Sequence, residues 1–202
     1  MLKIGILSKV LDDHFLRAGV GVKEAAKELG ISVEYEGPKT PDSNAQAIII
    51  EKWIKKGINA LVVSANGPNT LVPLMKKAQV AGIKTSTWNS DIISGREYFL
   101  NQTSDQRMGK CLVDMMVHSI SSTDGDFLII TSSLESPNQN QWLKEMKNYS
   151  QKKYSKMIYK DIIECNELAE CAEEKTFKYL LENSNTQGIF CLTGNSTPGV
   201  IK

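Results

Sequence analysis

The sequence predicts an α/β protein made of two doubly wound parallel-sheet lobes, the second of them incomplete. Three observations carry this. Short apolar or β-branched runs alternate with amphipathic stretches at helical spacing along the whole chain, the pattern of successive βαβ units. The run Ala60 to Ser64 is uniformly apolar up to its last residue, as a parallel strand covered on both faces should be. The pattern also starts afresh after Asn101 to Ser104, which divides the chain into an N-terminal lobe over 1–102 and a C-terminal lobe over 103–202.

The elements follow in order. A first strand near Leu2 to Ser8 leads to a helix from Asp13 to Leu29, in which Phe15, Val22, Ala25, Ala26 and Leu29 recur at helical spacing and Gly30 is the stop. Ser32 to Glu36 reads as a strand, and Gly37-Pro38-Lys39-Thr40-Pro41 as a turn. Asp42 or Ser43 caps the next helix, which runs to Lys56 and ends at Gly57. After the Ala60–Ser64 strand comes a helix over Thr70 to Ala81, with Pro73 tolerated in its first turn. A fourth strand ends at Trp88, and Tyr98 to Leu100 forms a short fifth. The second lobe reads as a helix over Asp105–Ser119, a strand over Phe127–Thr131 and a helix from Asn138 to about Tyr149. A strand near Met157–Lys160, a helix over Leu168–Glu182 and a strand over Gly188–Leu192 complete it.

Composition narrows the function. With 202 residues, 41% of them hydrophobic, and a formal charge of +1, the chain is an ordinary globular protein with no electrostatic case for nucleic acid. Its basic residues are Lys apart from Arg17, Arg96 and Arg107, unlike a phosphate-recognition surface. No signal peptide or membrane-spanning run is visible, which suits a cytoplasmic protein or a mature form. Cys111 and Cys191 lie in apolar contexts and are expected to be buried thiols; Cys165 and Cys171 could pair as a disulfide. No C-x-x-C pair occurs, and the only histidines are His14 and His118, so neither a metal nor another cofactor is expected.

The polar groups that close each strand are more informative. Open α/β sheets bind ligands at the carboxyl ends of their strands. There this sequence places Ser8-Lys9, Ser64-Ala65-Asn66, Trp88-Asn89-Ser90-Asp91, Ser132-Ser133, Asn138-Gln139-Asn140-Gln141-Trp142 and Thr193-Gly194-Asn195. Amides donate and accept at once, which suits hydroxyls that do the same. A ring beside an amide and a carboxylate suits a sugar: Trp88 would cover a C–H face while Asn89 and Asp91 take hydroxyls. Helix capping explains many of these residues equally well. Phe15 reads as either an aromatic wall or the first core residue of its helix, and Trp142 reads as core packing with Met146. The lysines from Lys144 to Lys160 read as a solvated face. There is no G-x-G-x-x-G after the first strand, no phosphate-binding loop and no nucleophile elbow, so the chain reads as a binder rather than an enzyme.

At this point the chain resembles the type I periplasmic solute-binding proteins, most of all the branch of rhamnose-binding and autoinducer-2-binding proteins of ABC importers. The matching stretches include Tyr35-Glu36-Gly37-Pro38, Ala60 to Ala65, Trp88-Asn89-Ser90-Asp91, Leu100-Asn101-Gln102 and Asn138 to Trp142. The resemblance implies two lobes that close on a sugar-like ligand, working as a monomer outside the cytoplasm and docking on a membrane permease. It implies a ligand-binding lysine at Lys9, an aromatic wall at Phe15 and contacts at Asn89, Asn138, Gln139, Leu192 and Gly194. Asn89 and Asn138 stand where autoinducer-2 binders carry aspartates, which favours rhamnose or another deoxyhexose or pentose. Coupling to a signalling kinase is the alternative output. Relatives of this kind run on for about a hundred residues more, so the resemblance also implies a chain truncated at its C-terminus, with a non-functional remnant as the bland reading.

Overall fold

The computed structural model describes residues 1–202, in two compact units, Met1–Gln102 and Thr103–Lys202. The first contains β1 (Lys3–Leu7), α1 (Asp13–Leu29), β2 (Ser32–Glu36), α2 (Ser43–Lys56), β3 (Ala60–Val63), α3 (Val72–Val80), β4 (Lys84–Trp88) and β5 (Tyr98–Leu100). The helix boundaries have local causes. Asp12 accepts the Phe15 amide at 2.9 Å and starts α1, and Asp42 accepts the amides of Asn44 and Ala45 to start α2. Gly30 and Gly57, at φ 62° and 67°, end the two helices in the left-handed conformation that glycine adopts without strain.

All strands of this unit are parallel, in the order β2-β1-β3-β4-β5. The chain steps from β1 to β2 in one direction and then back across β1 to β3, so the topological switch lies between β1 and β3. Right-handed crossovers put α1 on one face and α2 and α3 on the other. The core on the α2–α3 face gathers Ile50, Trp53, Leu61, Val63, Leu71 and Met75, each fully buried.

The second unit contains α4 (Asp105–Ile120), β6 (Gly125–Thr131), α5 (Pro137–Lys153), β7 (Met157–Glu164), α6 (Ala169–Glu182), β8 (Thr186–Cys191) and α7 (Thr197–Val200). Its parallel sheet has the order β7-β6-β8, with the switch between β6 and β8. One face carries a core of Val113, Phe127, Ile129, Leu143, Met146 and Phe190 under α4 and α5. The other buries Leu128, Ile130, Cys165 and Ala172 under α6 and α7.

The α/β class with parallel sheets is as the sequence predicts, and several details are not. Helix α5 continues to Lys153 because Ser150 is buried on its inner face and two lysines suit the negative end of the helix dipole. Strand β7 continues past Lys160 because that residue is a bulge. Tyr159 pairs with Phe127 and Asp161 with Leu128, so Lys160 is left over and the inward alternation resumes with Ile162. The four-residue α7 carries no periodicity from which to predict it.

Burial also differs from expectation. Cys111 is exposed and Cys191 half-buried, and the fully buried thiol is Cys165; all four cysteines are free. Cys111 lies on the solvent side of α4, whereas Cys165 lies directly beyond β7, where burial pushes its thiol up to about 12. Leu29, at the last turn of α1, is exposed, as is Ala25; the buried stripe of that helix is Phe15, Gly19 and Ala26. Trp142 is half-buried outside the core that holds Met146, and its indole Nε1 is buried without a hydrogen-bond partner. No helix is long and apolar enough to cross a membrane.

Candidate functional site

In the first unit a buried glutamine organises the switch point. Gln46 lies on the inner face of α2, one and two turns before Ile50 and Trp53, and is fully buried. Its Nε2 donates to the Ser8 carbonyl at 2.9 Å and the Ser64 carbonyl at 2.7 Å, and its Oε1 accepts the Asn66 amide at 2.9 Å. One side chain thus stitches together the ends of β1 and β3. Sequence reasoning missed it; the signal was a polar residue on the apolar stripe of a helix.

On this frame sit the residues that the sequence singles out. Lys9 follows β1 and is 6% exposed, and its carbonyl accepts Asn66 Nδ2 at 2.7 Å. Phe15 is buried, but it lies outside the main core and meets the ring of Trp88 edge to face, with centroids 5.5 Å apart. His14, given no role from sequence, also meets the ring of Phe15 edge to face, at 5.0 Å. Trp88 is fixed by donation from Nε1 to the Leu7 carbonyl at 3.2 Å. The carboxyl edge of this sheet therefore carries an aromatic pair, Phe15 buried and Trp88 half-buried, beside a polar ledge.

Asn89 is held three ways. Its φ is 60°, and across it the Ser90 amide donates to the Trp88 carbonyl at 2.5 Å, the closure of a γ-turn. Its own amide donates to Leu100, and its Oδ1 accepts the Ser64 hydroxyl at 3.2 Å. A residue with a side chain in this backbone region stores strain, and such strain concentrates at functional loops.

Asp91, read from the sequence as a hydroxyl acceptor, is also held within its own loop. Arg96 grips it with Nε on Oδ1 at 2.8 Å and Nη2 on Oδ2 at 2.6 Å, and Thr87 also donates to Oδ1. Burial acts to raise this carboxyl, but the hydrogen bonds from Arg96 and Thr87 outweigh it and hold it below the usual range. The carboxylate is occupied in closing the loop between β4 and β5.

The second unit repeats the plan with different wiring. Gln139, in the first turn of α5 and 5% exposed, accepts at Oε1 from Thr131 Oγ1 at 2.6 Å, the Ser132 amide at 2.8 Å and Ser132 Oγ at 3.0 Å. Its Nε2 donates to nothing within the unit and is not sealed from solvent. Asn138, 9% exposed, accepts the Ser136 hydroxyl at 3.0 Å. Leu192 continues β8, donating its amide to the Ile130 carbonyl, with its side chain in the core. Gly194, two residues on, faces open space: a methyl group built there meets nothing within 4 Å. The sequence reading also missed Glu167, which follows β7 at φ 64°, next to Asn166 at φ 48°, and accepts the Thr193 hydroxyl.

Both units thus present buried amides and hydroxyls at the carboxyl ends of parallel strands, joined in the first by an aromatic pair, the arrangement of an α/β ligand-binding protein. The family described as periplasmic binding protein domain matches residues 4–202, and the chain belongs to it. The fold is that of the type I periplasmic binding proteins. A solute-binding protein of an ABC transporter from Clostridium phytofermentas, solved with bound L-rhamnose, superposes with a TM-score of 0.91 at 22% identity, covering 97% of this chain and 62% of that one. LsrB from Clostridium saccharobutylicum, solved with AI-2, gives 0.90 at 24% identity, covering 98% of this chain and 64% of that one. A chain of the XylFII–LytSN complex gives 0.91 at 22% identity, covering 98% and 72%. The chain therefore spans less than two thirds of the length of the first two.

Proposed function

We propose that the protein is a receptor for a monosaccharide or sugar-like ligand, rhamnose-like or AI-2, and that it delivers this ligand to the permease of an ABC importer. The observation that carries the reading is the ledge of the first unit, where the Phe15–Trp88 pair stands beside the strained amide of Asn89 and the buried Lys9. Rings cover the C–H faces of sugars, and fixed amides serve hydroxyls that both donate and accept. The family and the bound ligands of the two structural neighbours support it. On this reading Lys9, Phe15 and Asn89 touch the ligand from the first unit. Asn138, Gln139 and the backbone at Leu192 and Gly194 serve the same purpose in the second, and Asp91 holds the loop in place.

Thermal unfolding of the full chain with L-rhamnose, other deoxyhexoses, pentoses and AI-2 tests the reading. A ligand at a hundred times its Kd should stabilise the fold by about 2.7 kcal/mol. An unchanged melting temperature across the whole panel would sink it. A second output, sensing through a partner protein, draws support from the neighbour solved as a XylFII–LytSN complex. Pull-down of a permease subunit rather than a signalling protein by the sugar-loaded chain would decide between the two.

A further inference from the structure

We propose that Ser64 fixes the polarity of the Asn89 amide, so that the ledge offers the ligand a hydrogen-bond donor, Nδ2, where a carboxylate would offer only acceptors. The inference rests on the sugar-receptor reading and adds to it a ligand class. At this point the site admits an oxygen or fluorine that carries no hydrogen as readily as a free hydroxyl.

Ser64 is fully buried, and its hydroxyl has one partner within the unit, Asn89 Oδ1 at 3.2 Å. A hydroxyl has one hydrogen to donate. If the amide were turned over, Nδ2 would face Ser64 Oγ and the serine hydrogen would lose the one acceptor that it has in the structure. Buried polar groups avoid that condition. The γ-turn and the Leu100 bond fix the direction in which the side chain leaves the backbone, and the serine bond holds the amide at its end. Nδ2 makes no hydrogen bond within the unit and is not sealed from solvent. In the following residue the Ser90 hydroxyl is buried with no partner, and so is Oδ1 of Asn66, two residues beyond Ser64. An aspartate in the place of Asn89 would keep the serine bond on one oxygen but present the other as an acceptor, and would demand a hydroxyl hydrogen from the ligand.

Two measurements on the full chain test this. The first needs no ligand: proton exchange of the Asn89 side-chain amide, followed by nitrogen-edited NMR. Fast exchange that Ser64→Ala leaves unchanged supports an outward Nδ2. Slow exchange that Ser64→Ala accelerates overturns it, because the nitrogen would then face the serine. The second is calorimetric titration with L-rhamnose and its 2-, 3- and 4-deoxyfluoro derivatives, fluorine being close to a hydroxyl in size and unable to donate. The expected result is one derivative that the wild type binds within about threefold of L-rhamnose and that Asn89→Asp disfavours at least tenfold relative to L-rhamnose. An Asn89→Asp variant that weakens every derivative by the same factor as L-rhamnose overturns the inference while leaving the receptor reading intact. Failure of L-rhamnose and of the whole sugar panel to bind removes the receptor reading, and the exchange measurement still decides the orientation of the amide.

Discussion

Gln46 and Gln139 are the same side chain in the same kind of place, each buried beneath the carboxyl end of a parallel sheet, and they are used in opposite ways. Gln46 uses both ends of its amide, giving two hydrogen bonds and accepting one, and joins the ends of two strands. Gln139 uses only its oxygen, accepting from two residues at the end of a single strand. An amide with every group committed is structural. An amide fixed by its oxygen, with its nitrogen uncommitted, is held still and has a donor to spare. Residue type and burial do not separate these roles; hydrogen-bond saturation does.

Making the same substitution at both positions sharpens the contrast. Gln46→Glu should be the most damaging change, since it sets carboxylate oxygens against the Ser8 and Ser64 carbonyls. We expect a loss of about 3 kcal/mol or more in urea denaturation, the cost of several unsatisfied buried groups. A loss below about 1 kcal/mol would show that Gln46 is not the tie described. Gln139→Glu keeps the acceptor that all three donors use, with a charge that those donors stabilise, and exchanges the NH2 donor for an acceptor oxygen. Stability should change by about 1 kcal/mol at most, while sugar affinity falls about tenfold, or about 1.4 kcal/mol. Equal effects on folding at the two positions would erase the distinction.

The smallest effect concerns acid lability, where the units also differ. In the first, Asp91 is depressed by Arg96 and Thr87 in the loop that shapes the ledge. In the second, the depressed carboxyl lies on the helical face. The hydrogen bond from Lys110, working against burial and joined by Tyr149, Tyr154 and Lys153, holds Asp114 down to about 2. A carboxyl depressed in the folded state adds stability that is full above its unfolded value of about 3.9 and is lost as pH falls towards the folded value. Asp114→Asn should therefore cost about 1 kcal/mol near neutrality, as a partly exposed network does. The gap to the wild type should close between pH 4 and pH 2. A gap that persists at pH 2 would assign the effect to packing instead.

The sequence made the strand–helix alternation legible because each element announces itself locally: Asp42 and Gly57 bound α2, and Asp13–Leu29 is a helix to the residue. What it hid was set by contacts between distant residues. Gln46 looks like any surface polar residue until Ile50 and Trp53 show which face of α2 turns inward. Nothing in the order of residues says that the loop folds Arg96 back onto the carboxylate of Asp91. Cys111, expected to be buried, is exposed for the same reason: local apolarity does not say which side of an element meets the sheet. The bulge at Lys160 concealed half of β7 by breaking the period of two on which strand prediction rests.

The bond from Trp88 Nε1 to the Leu7 carbonyl spans 81 residues of sequence. On the ribosome, Leu7 emerges first and waits while α1, β2, α2, β3 and α3 are made. At about 5–20 residues per second, that wait is on the order of 4–16 seconds. Even once Gln46 has been made and can close the end of β1 from one side, there is no indole on the other. The aromatic wall of the ledge is thus among the last parts of the first unit to be set, and sugars or chaperones meeting the nascent chain earlier meet a sheet without its wall.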